Sequence, residues 1–240
     1  MNFETCESEE GVLGLAFSWI SSHNYPSLLS NLEHTLLHPI FSLYLDAMDD
    51  YPPENDEGPP PIDANGNQEF GKAQPSAFSS QIVFGGVDQK HYEGCLNWHE
   101  LGQFDLDTGL VFVGYWDFRL DDVRVGGTSL PTSALALVDS GSSYVVGPLY
   151  DVGKFALLNG ATCFVFEDED MSDPKKADCD SKLGWDAAMI ECDQPFFNLE
   201  FVADGVTYVL EKEDLVLRVE TSYGDACVLR IVGSNDIPVS

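Results

Sequence analysis

The chain has 240 residues, with 11 Lys+Arg against 41 Asp+Glu and a formal net charge of −30. That balance argues against nucleic-acid backbones and anionic membrane surfaces as partners, because basic patches bind both. A hydrophobic content of 44% and an aromatic content of 12% suit a folded protein with one large core or two modest ones, and no stretch approaches the roughly 18–20 apolar residues of a membrane helix.

The acids are dispersed along the chain, which fits either a solubilising surface or work at low pH, where protonation relieves self-repulsion. The opening "MNFETCESEEGVLGLAF" has no basic n-region and carries acids where a signal peptide is apolar, so no export signal is expected in it. Within it "GVLGLAF", 11–17, reads as a short apolar strand or turn. In "HPIFSLYLDAM", 38–48, Phe41, Leu45 and Met48 share a helical face and Pro39 lies near the start, which predicts a short helix. Residues 49–76 lose most apolar content and gather Pro, Gly and acids, the composition of a surface loop.

From about residue 80 the pattern is that of strands, in "QIVFGG", "GLVFVGYWDFRLDDVRVGG" and "PFFNLEFVADGVTYVL". In the last, Phe197, Leu199 and Phe201 alternate with Asn198 and Glu200, Asp204-Gly205 marks a turn, and Val206, Tyr208 and Leu210 resume the alternation. One helix is predicted after Pro148, with Leu149, Val152, Phe155 and Ala156 on one face. The fold class is all-β.

Six cysteines, Cys6, Cys95, Cys163, Cys179, Cys192 and Cys227, form an even set without a C-x-x-C pair. That spacing disfavours zinc and leans towards disulfides. No metal or cofactor is expected, and the chain holds no N-x-[ST] sequon.

The stretch "ALALVDSGSSYVVGP", 134–148, carries an aspartate out of an apolar run onto a small, flexible bend. Read as structure alone, D-S-G-S is a turn. Ser140, Ser142 or Ser143 as a nucleophile would need a base. Yet His23, His34, His38, His91 and His99 sit in no motif and read as surface or loop residues, and no G-x-S-x-G elbow occurs. A carboxylate dyad makes better use of the stretch. Two aspartates sharing a proton can activate water, and each would have to leave a buried strand beside small residues whose N–H and hydroxyl groups hold the inner oxygens.

With these motifs in order the sequence resembles the pepsin-like aspartic proteases, the cathepsin D and pepsin family. The likeness is carried by "GVLGLAF", "HPIFSLYL", "IVFGGVDQKHYEGCLNWHEL", "GYWDFRLDDVRVGG" and "ALVDSGSSYVVGP", with "FNLEFVADGVTYVLEKEDLVL" following. It implies that residues 1–85 are a remnant of an N-terminal lobe with the acidic, Pro-rich insertion 49–76, and that 86–240 are a C-terminal lobe truncated at its end. It implies Asp139 as the catalytic aspartate of that lobe and Ser140 as the hydroxyl that ties the active-site loops together. Gly141 and Ser142 would then bind substrate, and Tyr115 would line a pocket. By the same likeness Cys192 pairs with Cys227. A second bridge, Cys163 to Cys179, would close the acidic segment between them, and Cys6 with Cys95 is left open.

The family needs two D-[ST]-G loops, and this reading counts a single one, at Asp139. The flap tyrosine and the family's final apolar-Leu-Gly-Asp strand are also expected to be absent, so the Asp139 loop would lack its apolar-apolar-Gly partner. The expectation is an aspartic-type endopeptidase represented by a partial chain that is inactive alone. Its substrate would be a peptide or protein, its state a monomer, and its location secreted, endolysosomal or vacuolar. The alternative is a non-catalytic peptide-binding or inhibitory relative, and a dimer pairing two Asp139 residues ranks last.

Overall fold

The computed structural model describes residues 13–21, 23, 25–45, 80–106, 110–131, 135–166, 174–182, 184–221 and 224–235. Two units divide the chain, residues 1–97 and 98–240.

In the first unit the chain runs irregularly from 13 to 17 and makes a 3-10 turn at Ser18–Ile20 before α1 (Leu28–Leu32). Ser27 caps α1 by accepting from Ser30 N at 3.2 Å, and Ser18 Oγ lies 2.9 Å from Ser30 Oγ. The predicted helix at 38–48 is not formed. Phe41–Tyr44 is a strand, β1, paired antiparallel with β2 (Gln81–Phe84) in the register Phe41↔Phe84 and Tyr44↔Gln81. Pairing with a distant strand outweighed a weak local helical pattern, and Met48 lies outside the described residues. A 3-10 turn at Gln89–His91, capped by Asp88, stacks the His91 ring on Tyr44 at 3.7 Å. None of the described residues of this unit is buried.

The second unit is built mainly of strands. Its first half holds β3 (Phe104–Leu106), β4 (Leu110–Phe112), β5 (Asp117–Arg119), β6 (Asp122–Val125), β7 (Thr128–Ser129), β8 (Leu135–Leu137) and β9 (Val145–Pro148), followed by α2 (Leu149–Leu158). Its second half holds β10 (Thr162–Phe166), β11 (Pro174–Ala177), β12 (Ala187–Ile190), β13 (Leu199–Ala203), β14 (Val206–Leu210), α3 (Lys212–Leu215), β15 (Val216–Thr221), β16 (Gly224–Leu229) and β17 (Ile231–Ser234).

Two sheets dominate, a five-stranded one in the order β11-β10-β12-β16-β15 and a four-stranded one in the order β14-β13-β6-β7. The β13–β14 hairpin turns at Asp204 and Gly205, both at positive φ (49° and 75°), which a two-residue hairpin of matching twist requires. The helix packs its apolar stripe, Val152, Phe155 and Ala156, into a core with Trp185, Ala188 and Leu229. Gly153 lets the 178–182 turn come down onto the helix, since a Cβ there would lie 2.3 Å from the Cys179 carbonyl oxygen. Trp185 Nε1 donates to that same oxygen at 3.1 Å. Buried Asn159 closes the helix by accepting from Phe197 N at 2.7 Å and donating to Phe155 O at 3.1 Å.

Two disulfides tie this unit, Cys163 to Cys179 and Cys192 to Cys227, with Cα–Cα distances of 5.3 and 5.2 Å. The second pins the loop after β12 to β16 across 35 residues. Replacing both Cys192 and Cys227 by Ala is expected to lower the unfolding free energy by about 3–4 kcal/mol in a urea titration, and an unchanged midpoint would refute this. Cys95 is exposed and free, and Cys6 lies outside the described residues.

The chain holds two D-[ST]-G triplets, not one: Asp107-Thr108-Gly109 precedes Asp139-Ser140-Gly141. The first falls between β3 and β4, which pair antiparallel with Leu106 opposite Leu110. Residues 107–109 themselves lie outside the described set.

Candidate active site

Asp139 follows β8, which pairs antiparallel with β5 so that Asp117 faces Leu137. One residue on, Val138 N donates to Trp116 O at 2.9 Å, extending the ladder to the edge of the loop. The chain then turns. Ser142 N reaches Asp139 O at 3.3 Å, and Gly141 N donates to the Asp139 carboxylate, Oδ1, at 2.9 Å. A Cβ on Gly141 would sit 3.2 Å from that oxygen, so the glycine permits the close approach. Ser142 Oγ donates to Tyr144 O at 2.8 Å and accepts from Tyr144 N at 3.4 Å, clasping the second half of the turn.

The loop leaves through β9, which has a partner that the sequence reading did not assign. β17 lies parallel to it in the register Ile231↔Val145 and Gly233↔Gly147, and Val145 N donates to Arg230 O at 3.0 Å. Ile231-Val232-Gly233 is thus the apolar-apolar-Gly segment expected to be missing. Ser234 follows the glycine where the sequence reading looked for an aspartate, which hid it. The Asp139 loop is therefore held by an antiparallel ladder on entry and a parallel one on exit.

The structure brings Asp139, Ser140, Gly141 and Ser142 onto one exposed turn and puts Tyr115 at the approach to β5, 41% exposed. One part of the specification is not met. The strand feeding Asp139 was expected to be buried, yet Leu137 and Val138 are 52% and 60% exposed. Among the described residues β8 pairs with β5 alone, and a two-stranded ribbon leaves its outer apolar face uncovered.

His99 departs from the surface reading given to the histidines. Its side chain is 13% exposed, its Nδ1 lies 2.7 Å from Asp204 Oδ2, and its Nε2 lies 2.7 Å from the Tyr208 hydroxyl. The ring also stacks on Phe118 at 5.0 Å. It thereby ties the start of the second unit to the β13–β14 hairpin, across a sequence distance that no local motif could reveal. His99→Ala is expected to cost about 1 kcal/mol, the loss of two hydrogen bonds with solvent-exposed partners, read as a lowered midpoint in chemical unfolding. A midpoint within error of the wild type would show that the contacts are idle.

The family model for eukaryotic aspartyl protease matches residues 70–240, well over half of the chain. The chain belongs to the eukaryotic aspartyl protease family. Members of this family are aspartic endopeptidases acting on peptides. Pepsin-3 of Oryctolagus cuniculus is 24% identical over 230 residues, covering 94% of this chain and 45% of the relative. Cathepsin E of the same species is 26% identical over 157 residues, covering 64% of this chain and 31% of the relative. Pregnancy-associated glycoprotein 2 of Sus scrofa is 28% identical over 153 residues, covering 62% and 28%. The chain thus spans less than half the length of these curated relatives. Among the described residues no helix is long and apolar enough to cross a membrane.

Proposed function

We propose that the Asp139 turn supplies one of the two carboxylates of an aspartic endopeptidase site. The second would come from a D-[ST]-G loop of an N-terminal lobe, and these 240 residues do not hydrolyse peptides alone. In that site one carboxylate takes a proton from the attacking water while the other gives its proton to the scissile carbonyl oxygen. Gly141 and Ser142 would present backbone and hydroxyl groups to a peptide, Ser140 would brace the facing loop, and Tyr115 would line a side-chain pocket. The lobe assignment, 1–85 and 86–240, belongs to this proposal, as do a monomeric state and a secreted, endolysosomal or vacuolar location. The two disulfides support an oxidising compartment.

The observation that carries the reading is the placing of the Asp139 turn between two strand pairs, β5–β8 on entry and the parallel β9–β17 on exit, with its carboxylate held in an Asx turn by Gly141 N at 2.9 Å. A peptide with a hydroxyethylene group in place of one amide tests it. Binding should shift the Gly141, Ser142 and Tyr144 amide resonances and vanish in Asp139→Ala, with no cleavage of an unfolded protein at acid pH. Binding that survives Asp139→Ala would favour the non-catalytic peptide-binding reading, which the exposed Leu137 and Val138 beside the turn support. Cleavage that depends on Asp139 would overturn the inactivity of the chain alone.

A further inference from the structure

We propose that Asp117 and Asp151, neither of them part of the catalytic turn, are positioning residues that hold the Asp139 loop tightly in acid and loosen it towards neutrality. Only the name given to the loop rests on the function proposed above.

The two carboxylates sit one on each side of that loop. Asp117 lies on β5 opposite Leu137, two residues before Asp139. Asp151 lies in the first turn of α2, three residues after β9 ends at Pro148. Both residues are almost wholly buried, at 4% and 6% exposure. Asp117 Oδ1 and both Asp151 oxygens lack a hydrogen-bond partner. Asp151 is the starker case, because burying an ion without partners is among the costliest arrangements in a fold, whereas Asp117 keeps backbone N–H groups, its own and that of Gly102, near its carboxyl. A neutral carboxylic acid fits the same place far better.

The surroundings offer little to hold a negative charge. β9, β10 and β17, the strands against α2, carry no ionisable residue. The charged groups on or beside the segments packed against α2 are Lys154 on the helix itself, Arg230 just before β17, and Asp178, Asp180 and Lys182 in the turn packed over Gly153. Lys154 Nζ sits over the Tyr150 ring at 4.9 Å. Asp117 is roofed by Gly102, where a Cβ would lie 2.8 Å from Oδ1. The segment leading to that glycine brings Glu100 and His99, β5 itself brings Arg119, and β8 brings no charge before Asp139.

Burial is the leading influence on both carboxyls and raises them above the usual aspartate value. Lys154 opposes it at Asp151, and backbone N–H groups oppose it at Asp117. The helix dipole at the start of α2 also favours the ion. With folded-state values raised, the native chain binds more protons than the unfolded one, so stability falls as pH rises through the raised values. The stabilisation is complete below the ordinary aspartate range and is lost above it. Because the carboxyls sit on β5 and at the start of α2, the loss is felt on both supports of the Asp139 loop.

Amide hydrogen exchange on the whole 240-residue chain tests this, with rates corrected for intrinsic pH dependence. The probes are Val138 N and Val145 N, which donate to Trp116 O and Arg230 O on either side of the turn. From acid to neutral pH their protection is expected to fall severalfold, following the direction of the raised carboxyls. In the double variant Asp117→Asn, Asp151→Asn most of that fall should disappear. A wild-type protection that is flat with pH overturns the proposal. So does a double variant that keeps the full slope, or one that flattens the melting curve without changing these two amides. Should the double variant not fold, carbon-13 titration of the wild-type aspartates decides, and midpoints in the ordinary range for Asp117 and Asp151 overturn it. No peptide is involved, so this outcome is independent of the peptide-binding result at Asp139.

Discussion

Phe155→Ala is expected to cost the second unit about 3–5 kcal/mol, the range for truncating a fully buried aromatic. Phe155 has no exposed surface and meets Phe196 edge-on at 5.8 Å between ring centres. It stands at the middle of the α2 stripe, where strands from both large sheets converge. Against a typical total of about 5–15 kcal/mol, such a loss leaves a unit that is partly unfolded at moderate temperature. The site should suffer with it, because α2 begins where β9 leaves the Asp139 turn. Urea unfolding followed by tryptophan fluorescence, which reports Trp185 in the same core, gives the number. A cost below about 1 kcal/mol would mean that the neighbours collapse into the space and that α2 is less central than its burial implies. Leu157→Ala, at a half-exposed position of the same helix, is the control and should change little.

Where local chemistry and tertiary demand agree, the fold was legible in the sequence. The alternation around Asp204-Gly205 became the β13–β14 hairpin, and the spacing of Leu149, Val152, Phe155 and Ala156 became α2. Phe41–Tyr44 misled because Phe41, Leu45 and Met48 also satisfy a helical face, and only pairing with Gln81–Phe84, some forty residues on, selects the strand. The two D-[ST]-G triplets show the limit of a motif. Asp139-Ser140-Gly141 and Asp107-Thr108-Gly109 are nearly the same in letters, but one bends between a β8–β5 ladder and a β9–β17 ladder, and the other falls between two strands, β3 and β4, that pair with each other. The partner strand Ile231-Val232-Gly233 was passed over because a serine follows its glycine. Asp117, Asp151 and His99 had no sequence signal at all. Their roles arise from which backbone lies over them, Gly102 above Asp117 and the hairpin around His99, and that is a property of the assembled unit.

Gly233→Ala is expected to disturb the Asp139 loop out of proportion to its size. A Cβ at Gly233 would lie 2.6 Å from Leu149 Cδ1 and 3.0 Å from Leu149 Cα. The side-chain atom can move, but the backbone atom opens α2 and is fixed by the helix that follows. β17 must therefore shift away from α2, and the shift passes directly into the parallel ladder that holds β9, where Gly233 faces Gly147. The stability cost is about 1–3 kcal/mol, typical of forcing a methyl into packed space, and the local effect is larger. Val145 N should lose much of its protection in hydrogen exchange as its bond to Arg230 O lengthens, and any peptide affinity at the Asp139 turn should fall with it. Gly205→Ala provides the contrast. Gly205 sits at φ 75°, and an added Cβ would meet nothing within 4 Å, so strain alone acts there, about 1 kcal/mol. That variant should lose stability while Val145 N keeps its protection. Equal protection of Val145 N in Gly233→Ala and the wild type would show that β17 merely accompanies the loop, and support for Asp139 would then rest on the β5–β8 pair alone.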